Sequence, residues 1–199
     1  MSQQDQDSIA RVEHDGGADP GARPAVGSIG VVIGIPEPMA SELRGWRASF
    51  GDPLAAVIPP HITLITTTPV HDWDEATDHV RSVARQQAPF TLAMCGTGSF
   101  RPVSPVVYLG IRDGFDDCVG LHRKLQSGPL ERELEFDFHP HVTVAHDVSD
   151  ASMDSAESKL AGYDAAFLVS SMGLYEHDAT GVWKLREELT FGAESAGEG

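Results

Sequence analysis

The sequence predicts an α+β protein of two lobes, related by a pseudo-twofold axis, whose sheets pack around a central groove. Three observations predict it. The stretch Pro60-His61-Ile62-Thr63-Leu64 is repeated, type for type, as Pro140-His141-Val142-Thr143-Val144, eighty positions further on. Each repeat follows a strand pattern, a helix pattern and a loop in the same order, which fits two similar lobes and disfavours a doubly wound parallel sheet. The chain has 199 residues, 41% of them hydrophobic, enough for one well-buried domain or two small lobes.

The elements follow in order. Residues 1–27 are polar and acidic, carry Gly16, Gly17, Pro20, Gly21 and Pro24, and show no apolar period, which predicts a disordered tail. The folded domain is expected over 28–192, with a loose tail at 193–199. "SIGVVIGI" at 28–35 is a buried strand, and Pro36 to Phe50 a helix started by proline. The first motif strand covers 61–66, and a helix follows over Asp72 to Gln87. Strands are expected at about 90–100 and 105–111, a helix at about 114–127, the second motif strand at 141–146 and a helix near 150–161. Two last strands fit 164–175 and 182–191, joined by a polar turn at 177–181.

The motifs carry the chemistry. Side chains alternate faces along a strand, so His61 and Thr63 point one way over Ile62 and Leu64, and His141 and Thr143 do the same over Val142 and Val144. Of nine histidines only these two have threonine at the second following position, and both follow proline. Two such strands across a groove supply two imidazoles for proton transfer and two hydroxyls to hold an anion. That set suits phosphate-ester chemistry, with one histidine on each side of the phosphorus for an in-line displacement.

With HITL at 61–64 and HVTV at 141–144, the chain resembles the 2H phosphoesterases, within them the bacterial 2′-5′ RNA ligase-like group. "PFTLAMCGTGSF" at 89–100, "PVVYLGI" at 105–111, "LHRKL" at 121–125 and "FHPHVTVAHD" at 138–147 fall in the family's order, so the resemblance spans roughly 28–192. It implies a bilobal fold with mainly antiparallel sheets around the groove and helices outside. It also implies metal-independent action, without cofactor, on a 2′,3′-cyclic phosphate or a 2′-5′ RNA phosphodiester. His61 and His141 are then acid and base, and Thr63 and Thr143 bind phosphate. Many relatives carry arginine shortly after the second motif, where this chain has His146. Strict alternation puts His146 on the face away from His141.

Supporting candidates for substrate binding are Tyr108, at an aromatic position of the resembling proteins and able to stack on a base, Arg101, within reach of phosphate, and His139. Phe138 is expected to pack beneath the second motif. His139 shares a strand face with His141, which is also how some metal sites are built. A rival reading is therefore a metal-dependent hydrolase ligated by His139, His141 and His61 with Asp137 or Asp147. It leaves the threonines without a role. A second rival is a non-catalytic nucleotide-binding module, which would have been free to lose either histidine. The remaining histidines, at 14, 71, 79, 122 and 177, are read as surface or capping residues.

Composition excludes other classes. A net charge of −16 argues against a surface that holds long nucleic acid. The pairs Arg44 and Arg47, Arg81 and Arg85, and Arg123 and Lys124 have the spacing of solvated helix faces. The expected partner is therefore a nucleotide, an RNA-terminal cyclic phosphate or a short oligonucleotide, bound by a monomer. No apolar run approaches the roughly 20 residues of a membrane span, and the N-terminus lacks a basic start and apolar core. With Cys95 and Cys118 read as buried reduced thiols, a cytoplasmic location is expected. No GxxxxGK[ST] loop is present, which disfavours an ATP-driven ligase.

Overall fold

A computed structural model of the chain describes residues 27–177 and 183–192. The expected tails at 1–27 and 193–199 and most of the turn at 177–181 lie outside the described residues, apart from Gly27 and His177. Twelve elements run in order: β1 (Gly27–Gly34), α1 (Met39–Ser49), β2 (His61–Val70), α2 (Trp73–Gln86), β3 (Phe90–Ser99), β4 (Val106–Asp113), α3 (Phe115–Leu125), β5 (His141–His146), α4 (Asp150–Leu160), β6 (Asp164–Val169), β7 (Ser171–His177) and β8 (Trp183–Thr190). Helix starts follow local chemistry. The Asp72 carboxylate accepts from the Glu75 N–H at 3.0 Å, and the Ser149 hydroxyl from the Ser152 N–H at 3.2 Å.

The strands form two four-stranded sheets, ordered β2-β1-β7-β8 and β5-β4-β3-β6, with every pairing antiparallel. The orders correspond position for position, so each motif strand lies at the edge of its sheet and the two edges, β2 and β5, approach one another. One face of each sheet is apolar and buried, through Ile29, Val31 and Ile33 of β1 or Leu92 and Met94 of β3. Helix α1 packs against β5 and α3 against β2, which fastens each lobe to the motif strand of the other.

One expected element divides. The run 164–175 is two strands that break at Ser170: β6 pairs with β3 in the second sheet and β7 with β1 in the first. Its continuous β pattern hides this, because a strand that changes sheets keeps its β-forming composition on both sides of the break. The second sheet is thus contiguous in sequence, while the first is assembled from segments on both sides of it.

Candidate functional site

Both motif histidines are held by the same local device. The His61 Nδ1 lies 2.8 Å from the Pro59 carbonyl, and the His141 Nδ1 lies 2.7 Å from the His139 carbonyl. A carbonyl only accepts, so Nδ1–H donates in each ring and the lone pair of the neutral imidazole falls on Nε2. Burial pushes both histidines below the usual imidazole value, against the carbonyl bonds that raise them. The Arg47 charge lowers His61 further, and the charges of His139 and His61 lower His141. Burial and the neighbouring charges therefore favour the neutral form of both rings. Thr63 and Thr143 are half-buried, two residues on, while Ile62, Leu64, Val142 and Val144 are buried as the alternation requires.

A pocket of about 110 Å³ opens at this point, lined by Arg47, Leu54, Ile58, Pro60 and His61 from the first lobe and by Thr143 and His146 from the second. It joins one motif's imidazole to the other's hydroxyl. Two of its residues correct the sequence reading. Arg47 is not on a solvated helix face. It is 4% exposed, its Nε–H donates to Asp52 Oδ2 at 2.9 Å, and its Nη1–H donates to the Ile58 carbonyl at 2.6 Å. The other Asp52 oxygen accepts from the Leu54 N–H at 2.8 Å, so this buried pair shapes the loop that delivers Pro59 and His61.

His146 is the other correction, because β5 is not a regular strand. Val107 pairs with Ala145 but Tyr108 pairs with Thr143, so Val144 is an extra residue, a bulge that inverts the alternation. His146 consequently returns to the face of His141 and Thr143 and lines the pocket. The same bulge occurs in β2, where Val31 pairs with Ile65 and Val32 with Thr63. Beyond His146 the chain turns at Asp147, whose φ of 51° is the one positive value among the described non-glycine residues. The Asp147 carboxylate lies 3.5 Å from His146 Nε2.

Around His141 the surface is aromatic. Its ring centroid is 4.9 Å from Phe100 and 5.3 Å from Tyr108, and His139 stands 6.1 Å away, edge-on to Phe100, Tyr108 and Phe115. The Tyr108 ring lies across Gly98, where a Cβ would come within 2.6 Å of it, so only glycine admits the ring there. Tyr108 thus shares the groove with His141. Arg101 does not join them: its guanidinium meets Asp154 at 2.9 Å and Glu157 at 3.1 Å on α4. Among the described residues no three His, Cys, Asp or Glu side chains are placed to hold a metal ion, so His61, His139 and His141 do not gather with Asp137 or Asp147.

His122 departs from its reading as a surface or capping residue. It is 7% exposed, its Nδ1–H donates to the Leu64 carbonyl at 2.8 Å, and its ring stacks on Phe138 at 4.0 Å. One imidazole on α3 thereby ties the first motif strand to the segment that leads into the second. Burial lowers its basicity. Its signal in the sequence was only the phase of α3, which places it beside Leu121 and Leu125. Of the two thiols, Cys118 is buried, which pushes it up to about 12, but Cys95 is exposed.

Two α+β lobes that each hold an H-x-T strand at the groove define an enzyme of the 2H phosphoesterase type. Residues 35–181, which include both motifs, match the 2′-5′ RNA ligase superfamily, and the chain belongs to that family. A candidate phosphoesterase of Bacillus licheniformis is 31% identical over 169 residues, covering 82% of this chain and 98% of its own length. One from Bacillus mycoides is 29% identical over 173 residues, covering 84% and 98%. Among solved structures, apo E. coli LigT has a TM-score of 0.63 at 23% identity, over 85% of this chain and 99% of its own. TT0787 of Thermus thermophilus has a TM-score of 0.58 at 18% identity, over 84% and 99%. Among the described residues no helix is long and apolar enough to cross a membrane.

Proposed function

We propose that the protein is a metal-independent phosphodiesterase in which His61 and His141 exchange protons with a 2′,3′-cyclic phosphate or a 2′-5′ RNA phosphodiester. The observation that carries this is the matched anchoring of the two rings, each with Nδ1–H on a carbonyl two residues back and its lone pair on Nε2. In hydrolysis of the cyclic ester, one neutral imidazole takes a proton from water as the water oxygen bonds to phosphorus. The other, protonated, gives its proton to the ribose oxygen as the P–O bond breaks. The bound phosphate anion raises the pKa that burial has lowered, which lets the second ring hold that proton. The hydroxyls of Thr63 and Thr143 donate to the non-bridging oxygens, where charge accumulates.

With a 5′-hydroxyl in place of water, the same transfers open the cyclic ester and leave a 2′-5′ linkage; the reverse cleaves one. No nucleotide cofactor is needed, because the strained ester carries the reactive phosphorus. Solved structures of E. coli LigT are complexed with 3′-AMP, with ATP and with phosphate, which supports a nucleotide phosphate as the occupant here. A monomer in the cytoplasm goes with this reading, and its two free cysteines suit a reducing compartment.

The test is hydrolysis of nucleoside 2′,3′-cyclic monophosphates in excess EDTA. Wild type is expected to turn over, and His61→Ala and His141→Ala each to lose at least about 100-fold in kcat. Near-normal activity in either variant removes the mechanism, and activity lost to EDTA removes its metal independence.

A further inference from the structure

The first sheet carries aromatic rings of its own on the face that holds the motif. Val32 pairs with Thr63 on one side and with Gly173 on the other, which puts Gly173 on the Thr63 face. Two residues on, Tyr175 keeps that face, and its neighbours Gly30 and Leu185 share it; His177 and its partner Trp183 continue the row. Tyr175 and Trp183 are 5.8 Å apart between ring centroids, and His177 stands edge-on to Trp183 at 6.0 Å.

Two glycines admit these rings. A Cβ at Gly30 would lie 2.2 Å from the Trp183 ring, and one at Gly173 would lie 2.7 Å from the Tyr175 ring. The indole, which belongs to the outermost strand, is therefore drawn across the sheet onto β1, next to the motif strand. The rings are half-buried and Leu185 beside them is 52% exposed, so the patch is apolar and open. Glu188, the partner of Gly173, stands on the same face, which disfavours a phosphate there and tolerates a neutral base.

We propose that Trp183 and Tyr175 form a second nucleobase subsite, so that the substrate is a phosphodiester with a nucleoside on each side of the reacting phosphorus. This rests on the phosphodiesterase reading above. In an in-line displacement the entering and leaving oxygens lie on opposite sides of phosphorus. Tyr108 offers a stacking surface beside His141 in one lobe, and Trp183 with Tyr175 offers one on the His61 face of the other. A cyclic mononucleotide occupies one of them; a 2′-5′ linkage, or the two ends to be joined, occupies both. Stacking on aromatic side chains is tolerant of base identity, so the subsite selects for length more than for sequence.

Equilibrium binding in the full-length His61→Ala chain, where chemistry is suppressed, separates this proposal from the catalytic one. The probes are 2′-5′-linked adenylyl-adenosine and 2′-AMP, measured by calorimetry. The dinucleotide is expected to bind about tenfold tighter. Adding Trp183→Phe should keep most of that gain, and adding Trp183→Ala should erase it. If the alanine variant does not fold, Trp183→Leu, which still covers Gly30, should lose the gain instead. No gain in the starting chain, or a gain that survives loss of the indole, overturns the subsite. If the wild type turns over neither a nucleoside 2′,3′-cyclic phosphate nor the 2′-5′ dinucleotide while the gain depends on Trp183, the catalytic reading fails and the subsite stands.

Discussion

His61 sits beside a guanidinium and His141 among aromatic rings, although the strands that carry them share a motif, a bulge and a carbonyl anchor. The shared part is backbone geometry, and it sets where the imidazole stands and which nitrogen carries the proton. The different part is what the other strands and helices bring up to the ring. Arg47, held by Asp52 and the Ile58 carbonyl, gives the first lobe a polar pocket wall. Phe100, Tyr108 and His139 surround the second lobe's histidine with rings instead. Symmetry of the backbone is thus compatible with a division of labour between the two halves.

The largest effect that would sharpen this contrast is on stability. Arg47→Ala leaves the Asp52 carboxylate buried and unpaired, and is expected to cost about 3–5 kcal/mol in urea unfolding, whereas Tyr108→Ala, at a half-exposed site, should cost less. If both variants unfold at the same urea concentration, Arg47 does not hold the first lobe's loop. A smaller effect concerns the hydroxyls. Thr63→Val and Thr143→Val are each expected to lower kcat about tenfold with KM little changed, since each removes a bond to an anion. Unequal losses would show that only one lobe holds the non-bridging oxygens.

The smallest effect is on the pH dependence of stability. His61, His141 and His122 all have folded-state values lowered by burial, so the unfolded chain takes up protons that the folded one refuses. Stability is therefore full above the ordinary histidine pKa of about 6.5 and declines as pH falls below it. Inorganic phosphate in the groove favours the protonated motif histidines and should flatten this decline. The part due to His122, distant from phosphate in role, should persist and disappear in His122→Phe. A thermal unfolding series from pH 7.5 to 5 with and without phosphate checks both.

The motif strands, the order of elements and the antiparallel two-lobed arrangement were legible because each rests on local periodicity or on a repeated pentapeptide. What was not legible depends on pairing partners. The bulge at Val144 exists only in register against β4, so alternation counted along β5 alone assigned His146 to the wrong face. Arg44 and Arg47 look alike in the sequence, yet only Arg47 meets a carboxylate after the helix ends. His122 reads as one polar residue in a short helix until β2 is brought against it. The division of 164–175 required knowing which sheet had a place for each half. Trp183 and Tyr175 are ordinary strand aromatics by composition, and what marks them is two glycines, Gly173 beside Tyr175 and the distant Gly30 under Trp183.

The break at Ser170 bears on how the molecule is made. All four strands of the second sheet lie between Phe90 and Val169, so that lobe has its full complement of partners while the remainder of the chain is still being synthesised. The first lobe has not. Its central pairing joins Val32 to Gly173, a closure across most of the folded domain, and until β7 arrives β1 has one bare edge in a strand of Val and Ile. The β1–β2 pair must therefore wait with an adhesive edge open, and a chain halted before Ser171 would keep it.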